Sequence, residues 1–311
     1  MAASKSDRIN WAGSIPFFLV HLGMGLVLVT GFSWKWALIA LATYYVRMMG
    51  VTIGYHRYFS HRAFQTNRVF QFVLAFWAQS SSQKGALWWA AHHRHHHKES
   101  DQPDDIHSPL QRGFWWSHVG WILSSKYDET NYAGIKDYAR YPELVWLNKH
   151  HYVPVVVYAA ACLALGGLNG FVYAFLISTV LLWHGTFTIN SLSHVFGKRR
   201  YLTTDTSRNN ALLALITCGE GWHNNHHYYQ NTANQGWFWW EVDFSYYALK
   251  VFAVLGLVSK LRTPAEQTKM AFKKYTEAEK ALLRTKSMSE MAAVPVAMPA
   301  AVAPLPAAPP A

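Results

Sequence analysis

Two pairs of apolar runs, each pair joined by a few residues, most constrain what this chain can fold into. Residues 15–31 and 34–54 form the first pair, and residues 153–166 and 171–189 the second, across Gly167-Leu168-Asn169-Gly170. Each run approaches the roughly 17–25 residues that cross a hydrocarbon core of about 30 Å, the third being the shortest. Trp11, Trp34 and Trp36 flank the first pair as interfacial aromatics do, which argues against buried helices of a soluble core. Residues 15–31 follow Lys5 and Arg8 as a signal peptide would. The next apolar run begins at once and no small-residue cleavage site intervenes, so a retained hairpin is expected. Charged residues make up only 14% of the chain, well under the roughly 25% of a soluble domain. The mean hydropathy is nevertheless −0.02, so the apolar residues are concentrated in these runs and a polar body holds the rest.

The 28 Lys and Arg outnumber the 17 Asp and Glu, a net charge of +11. Lys35 is the one basic residue in the two short connections. Arg57, Arg62, Arg68, Arg112, Lys126, Lys198, Arg199 and Arg200 all fall on the opposite side. The positive-inside rule therefore puts both termini and the loop 55–152 in the cytoplasm. Topology accounts for the basic excess, and no nucleic acid is expected as a partner. The expected fold is an all-α integral membrane protein: four transmembrane helices in two hairpins, with a cytoplasmic helical cap of residues 55–152 and 190–262 holding a histidine-rich di-metal site. This membrane domain spans residues 1–262. Residues 244–258 read as an amphipathic helix on the membrane or the cap. Residues 263–290 read as a polar helical extension, and 291–311 as a disordered Ala/Pro tail, because its six prolines remove helix hydrogen bonds too often.

The chemistry lies in the histidine spacing. His56 and His61 stand just past the second apolar run. His92, His93, His95, His96 and His97 form a dense cluster, and His223, His226 and His227 a third. The last two clusters share His at i, i+3 and i+4, which puts three imidazoles on one helical face. His194 lies one turn beyond Asn190 at the end of the fourth run. Two cysteines, Cys162 and Cys218, exclude a thiolate metal site, which needs about four. His56, His61, His93, His96, His97, His194, His223, His226 and His227 exceed what one zinc takes, about four ligands, and suit two adjacent ions. Imidazole serves iron, copper, zinc and nickel alike. A site needing electrons for O2 favours two iron ions. Helical geometry leaves His92 and His93 as alternatives; the recurrence of His-x-x-His-His favours His93.

The order H-R-Y-F-S-H at 56–61, H-R-H-H-H at 93–97, N-S-L-S-H at 190–194 and G-E-G-W-H-N-N-H-H at 219–227 resembles the membrane fatty acyl desaturases of the Δ9, stearoyl-CoA type. The resemblance runs from about residue 15 to 258 and includes R-G-F-W-W-S-H-V-G-W at 112–121. It implies that the nine histidines hold two irons and that Asn190 holds a metal-bound water. It implies a tunnel between the spans past Thr186 and Phe187, and a cis double bond inserted into a C16 or C18 chain using O2 and two electrons. Tyr44, Tyr45 and Met48 are candidates for the tunnel's closed end.

A methylene C–H has no acidic proton, so acid–base groups cannot begin such a reaction and a redox cofactor must. The stretch Lys84–His92 lacks the polar residues that meet CoA in the animal enzymes, and Ser125 replaces an arginine beside Lys126. CoA, acyl carrier protein and glycerolipid therefore all stay open as carriers. No His-Pro-Gly-Gly haem motif is present, so electrons are expected from an external cytochrome or ferredoxin, with Arg199 and Arg200 as contacts for an acidic partner. A hydroxylase on the same scaffold is the near alternative. A metal transporter would place ligands along the spans, where only His21 and His184 lie.

Overall fold

The computed structural model describes residues 7–284 and 305–307. The helices that place the site are α1 (Trp11–Thr30), α2 (Trp34–Ser60), α3 (Arg68–Gln79), α4 (Ala86–Glu99), α5 (Pro142–Lys149), α6 (Tyr152–Asn169), α7 (residues 170–192), α8 (His223–Tyr228) and α9 (Phe244–Val254). Short helical turns fill the segment between α4 and α5. The strands Gln65–Thr66 and Val258–Ser259 pair antiparallel, Gln65 opposite Ser259. Side-chain caps start several helices: Asn10 accepts from Gly13 N–H at α1, Asn67 from Phe70 N–H at α3, and Asp243 from Tyr246 N–H at α9.

Three helical segments are long and apolar enough to cross a membrane: α1, α2 and the continuous stretch from Tyr152 to Leu192. The third is two helices in one. Gly167 adopts a left-handed φ of 57°, which costs a residue without Cβ little. The Tyr158 hydroxyl then donates to the Ala174 carbonyl at 2.7 Å, sixteen positions along the chain. In a straight helix those positions would lie roughly 24 Å apart. The chain therefore doubles back, α6 against α7.

Leu22, Leu28 and Leu165 are 75%, 89% and 90% exposed. Exposed apolar faces of this extent mark a surface built for a partner other than water. The main core lies on the other side, between the end of α2, α3, α4 and α7. Arg47 is enclosed among these helices: it donates to Ser178 Oγ at 2.9 Å and to the Ser80 carbonyl at 2.7 Å, and lies over the Tyr158 ring.

The second apolar run does not stop at residue 54. Its helix continues to Ser60 through widened turns, in which His61 N–H donates to the His56 carbonyl, an i→i−5 bond. Five residues along an α-helix would aim two side chains about 140° apart. The wider turn brings the rings of His56 and His61 to 4.7 Å. The polar extension is broken into short helices at Glu266–Lys269 and Glu277–Leu282. Most of the Ala/Pro tail lies outside the described residues; of residues 305–307, Ala307 is buried.

Candidate metal centre

Four stretches of chain bring the nine histidines together: the end of α2, helix α4, the turn after α7, and α8. They form two groups whose ligand atoms lie within 4.8 Å of one another. His56, His61, His93, His97 and His226 make the first, and His96, His194, His223 and His227 the second. The two adjoin, the rings of His97 and His227 being 4.3 Å apart. Each i, i+3, i+4 triplet is thus divided between groups instead of serving one. His93 and His97 turn one way and His96 the other; on α8, His226 faces the first group and His223 and His227 the second. Adjacent helical residues diverge by about 100°, so a helix passing between two ions can serve both.

Within the first group the Nε2 atoms of His61, His93, His97, His226 and His56 follow one another at 3.0, 3.0, 2.9 and 3.0 Å. One N–H makes one straight hydrogen bond, so these imidazoles cannot all satisfy each other. A cation at their centre would, since two nitrogens at right angles around an ion about 2.1 Å away lie roughly 3.0 Å apart. In the second group His227 Nε2 is buried without a partner while its Nδ1 donates to Asp205 at 2.7 Å. Both donor sets fit a divalent metal ion, and imidazole nitrogen is a good ligand for iron.

Four carboxylates hold the rings in place, and the spacing of the histidines had not pointed to them. Asp101 accepts from His194 Nδ1 at 2.8 Å, Asp105 from His96 Nδ1 at 3.0 Å and Asp205 from His227 Nδ1; Glu220 lies 2.5 Å from His56 Nδ1. Anchoring Nδ1 leaves Nε2 as the lone-pair donor. Arg57, fully buried, holds Glu220 and Asp243 together. Gly219, at φ 121°, lets this corner close, because a Cβ there would meet Asp243 Oδ1. Burial, followed by repulsion from neighbouring imidazoles, holds His61, His93, His97, His223 and His226 well below their ordinary pKa, in the neutral form a metal needs. His194 is the exception. Burial opposes its charge, but Asp101 outweighs burial and lifts it to about 9, while the Asp101 carboxyl falls to about 2.

A cavity of about 440 Å³ ends at this centre. Phe17, Trp89, Trp183, Thr186 and Phe187 line it, with His93 and Asn190 at the histidine end. Asn190 also lines a smaller recess with Met48, His56 and His223. Thr186 and Phe187 thus stand on the cavity wall and Met48 at the recess. Tyr44 and Tyr45 line neither: the Tyr44 hydroxyl donates to the Ile216 carbonyl at 2.7 Å and Tyr45 packs edge-on against its ring. His92 is buried on the cavity wall with its Nδ1 on the Trp88 carbonyl, and His95 reaches the Asp104 carbonyl; neither joins a group. Arg199 and Arg200 are not free for a partner. Arg199 is buried on the carbonyls of Thr203 and Asp205, and Arg200 pairs with Glu241. His21 and His184 meet at 3.1 Å, and His184 continues to His118 at 2.9 Å.

Fold and site together define a helical protein with membrane-length apolar segments and two imidazole groups able to hold metal at the end of an apolar cavity. The model of the fatty acid desaturase family matches residues 32–235. The sn-1 stearoyl-lipid 9-desaturase of Anabaena variabilis is 34% identical over 84% of this chain and 97% of its own length. The enzyme of the same name from Synechocystis is 35% identical, over 86% of each chain. An acyl-CoA 5-desaturase of Anemone leveillei is 32% identical over 86% of this chain and 88% of its own. The chain belongs to the fatty acid desaturase family and is an oxidoreductase.

Proposed function

We propose that this protein is a multi-pass membrane desaturase that inserts a cis double bond, at Δ9, into a saturated C16 or C18 acyl chain. The observation that carries this reading is the convergence of nine imidazoles, in adjoining groups of five and four, at the end of an apolar cavity. The two groups would hold two iron ions, which supply the O2-dependent removal of hydrogen from an unactivated methylene. The chain's own residues do the rest. The carboxylate-anchored rings keep Nε2 aimed inward. Phe17, Trp183 and Phe187 exclude water and hold the alkyl chain, and Asn190 offers its amide for a water beside the ions.

The doubling back at Gly167 supports four spans in two hairpins, with both termini and the histidine cap in the cytoplasm. Two electrons come from an external cytochrome or ferredoxin. The stearoyl-lipid specificity of the cyanobacterial relatives favours a glycerolipid over CoA or acyl carrier protein as carrier. Expression in cells lacking their own desaturase, with iron and a donor supplied, tests the reading. A new alkene between carbons nine and ten, two hydrogens lighter than the substrate, is the expected product. Gain of one oxygen, or unchanged lipids, would refute it.

A further inference from the structure

The cavity is not closed on all sides. Gly13 and Pro16 of α1, and Tyr152 and Val156 of α6, line it, yet all four are exposed, Val156 to 60%. A residue that both lines a cavity and faces outward marks where the cavity meets the exterior. The surface around that place is apolar: Leu19 and Leu22 of α1 and Val157 of α6 are all at least half exposed. Trp11 and Tyr152 begin the two helices, and such aromatics sit at the headgroup level of a bilayer. The polar part of the wall adjoins them: Asn10, Gln83, Lys84, Asp128 and His151.

Among the described residues Lys84 is the one Lys or Arg lining the cavity, and it donates to Asp128 at 2.6 Å. This wall therefore has no net charge. A CoA thioester brings several phosphate groups, which require unpaired cations. The ester and glycerol of a lipid require only neutral hydrogen-bonding groups.

We infer that the acyl chain reaches the centre sideways, out of the bilayer, between α1 and α6, while still esterified in a membrane glycerolipid whose ester lies against the Asn10, Gln83 and His151 wall. This rests on the desaturase reading with its glycerolipid carrier and adds to it the route by which the chain enters.

The test uses the full chain, iron-loaded and supplied with O2 and an external reduced ferredoxin or cytochrome, in stearoyl-phosphatidylcholine vesicles doped with phosphatidylcholine whose sn-1 stearoyl chain carries a diazirine. Photolysis and peptide mass spectrometry then locate the chain. Adducts on Val20, Trp183 and Phe187 are expected. Val156→Trp, which narrows the opening, should cut them at least several-fold, and Val157→Trp, outside the lining, should not. Adducts only on outward residues such as Leu22 and Leu165, or cavity labelling that Val156→Trp leaves unchanged, would overturn the route. Cavity labelling with no alkene formed would leave the route standing and sink the desaturase reading. Alkene from stearoyl-CoA with no cavity labelling by the lipid would do the reverse.

Discussion

At the scale of single residues, the carboxylates decide how well the imidazoles serve. Asp205 accepts from His227 Nδ1 and is itself held by Thr203 Oγ and Ser207 N–H. Without that anchor His227 can rotate or change tautomer, and its Nε2 no longer points into the second group. Asp205→Ala should therefore lower metal affinity about 10–100-fold, read by chelator competition, as such outer partners typically do. Unchanged affinity would show that packing alone orients the ring. Asn190 makes a different prediction. It lines both cavities without belonging to either histidine group, so Asn190→Ala should keep the wild-type iron content and lose nearly all turnover. Wild-type activity in that variant would remove its proposed role. The nine histidines were legible because donors on a helix must recur at i+3 and i+4. The carboxylates were not, because they act through space: Asp101 meets His194 across 93 positions of sequence and Glu220 meets His56 from the far end of the chain's cap. The place of Tyr44 outside both cavities was not legible either, since an aromatic at helical spacing gives no sign that its hydroxyl donates to the Ile216 carbonyl.

At the scale of elements, spacing located the clusters but not how they divide. The His-x-x-His-His spacing put three imidazoles on one helical face, whereas α4 and α8 both run between the groups and give residues to each. The distinction is measurable. His97→Ala removes a ligand from the group of five, and His96→Ala one from the group of four, so each should deplete a different ion, resolvable by Mössbauer spectroscopy of iron-57-loaded protein. His95→Ala should keep both, because His95 points away to the Asp104 carbonyl. If His95→Ala loses as much iron as His96→Ala, the orientation of α4 is wrong. The end of α2 carries the same lesson. Nothing in H-R-Y-F-S-H announces widened turns, yet only these bring His56 and His61, five apart, into one group. The apolar runs fared better, since length and hydropathy are properties of the segment itself. Their ends were set too short because helix geometry continues past the apolar stretch wherever the cap supplies packing.

At the scale of the whole molecule, the buried histidines set how the metal-free protein responds to pH, and two sets act with opposite sign. Burial pushes His92 and His118 down to about 4. An unfolded imidazole takes up its proton near pH 6.5, so between there and pH 4 the unfolded chain binds more protons. That contribution to stability is complete above pH 6.5 and is lost as pH falls, by about 1.4 kcal/mol per pH unit for each full proton of difference. His194 works the other way, because Asp101 raises it to about 9 against the effect of burial. Its contribution is complete below pH 6.5 and is lost as pH rises towards 9. The metal-free protein in detergent should therefore have its highest Tm near neutrality and lose stability on both sides. A ligating His194 must give up its proton, so metal replaces that proton and the alkaline decline disappears, with proton release on binding below pH 9. His118→Asn should make the acid limb of the metal-free protein shallower and leave the alkaline limb alone. A metal-free Tm that climbs steadily from pH 6.5 to 9 would contradict the His194–Asp101 pairing on which the second histidine group depends.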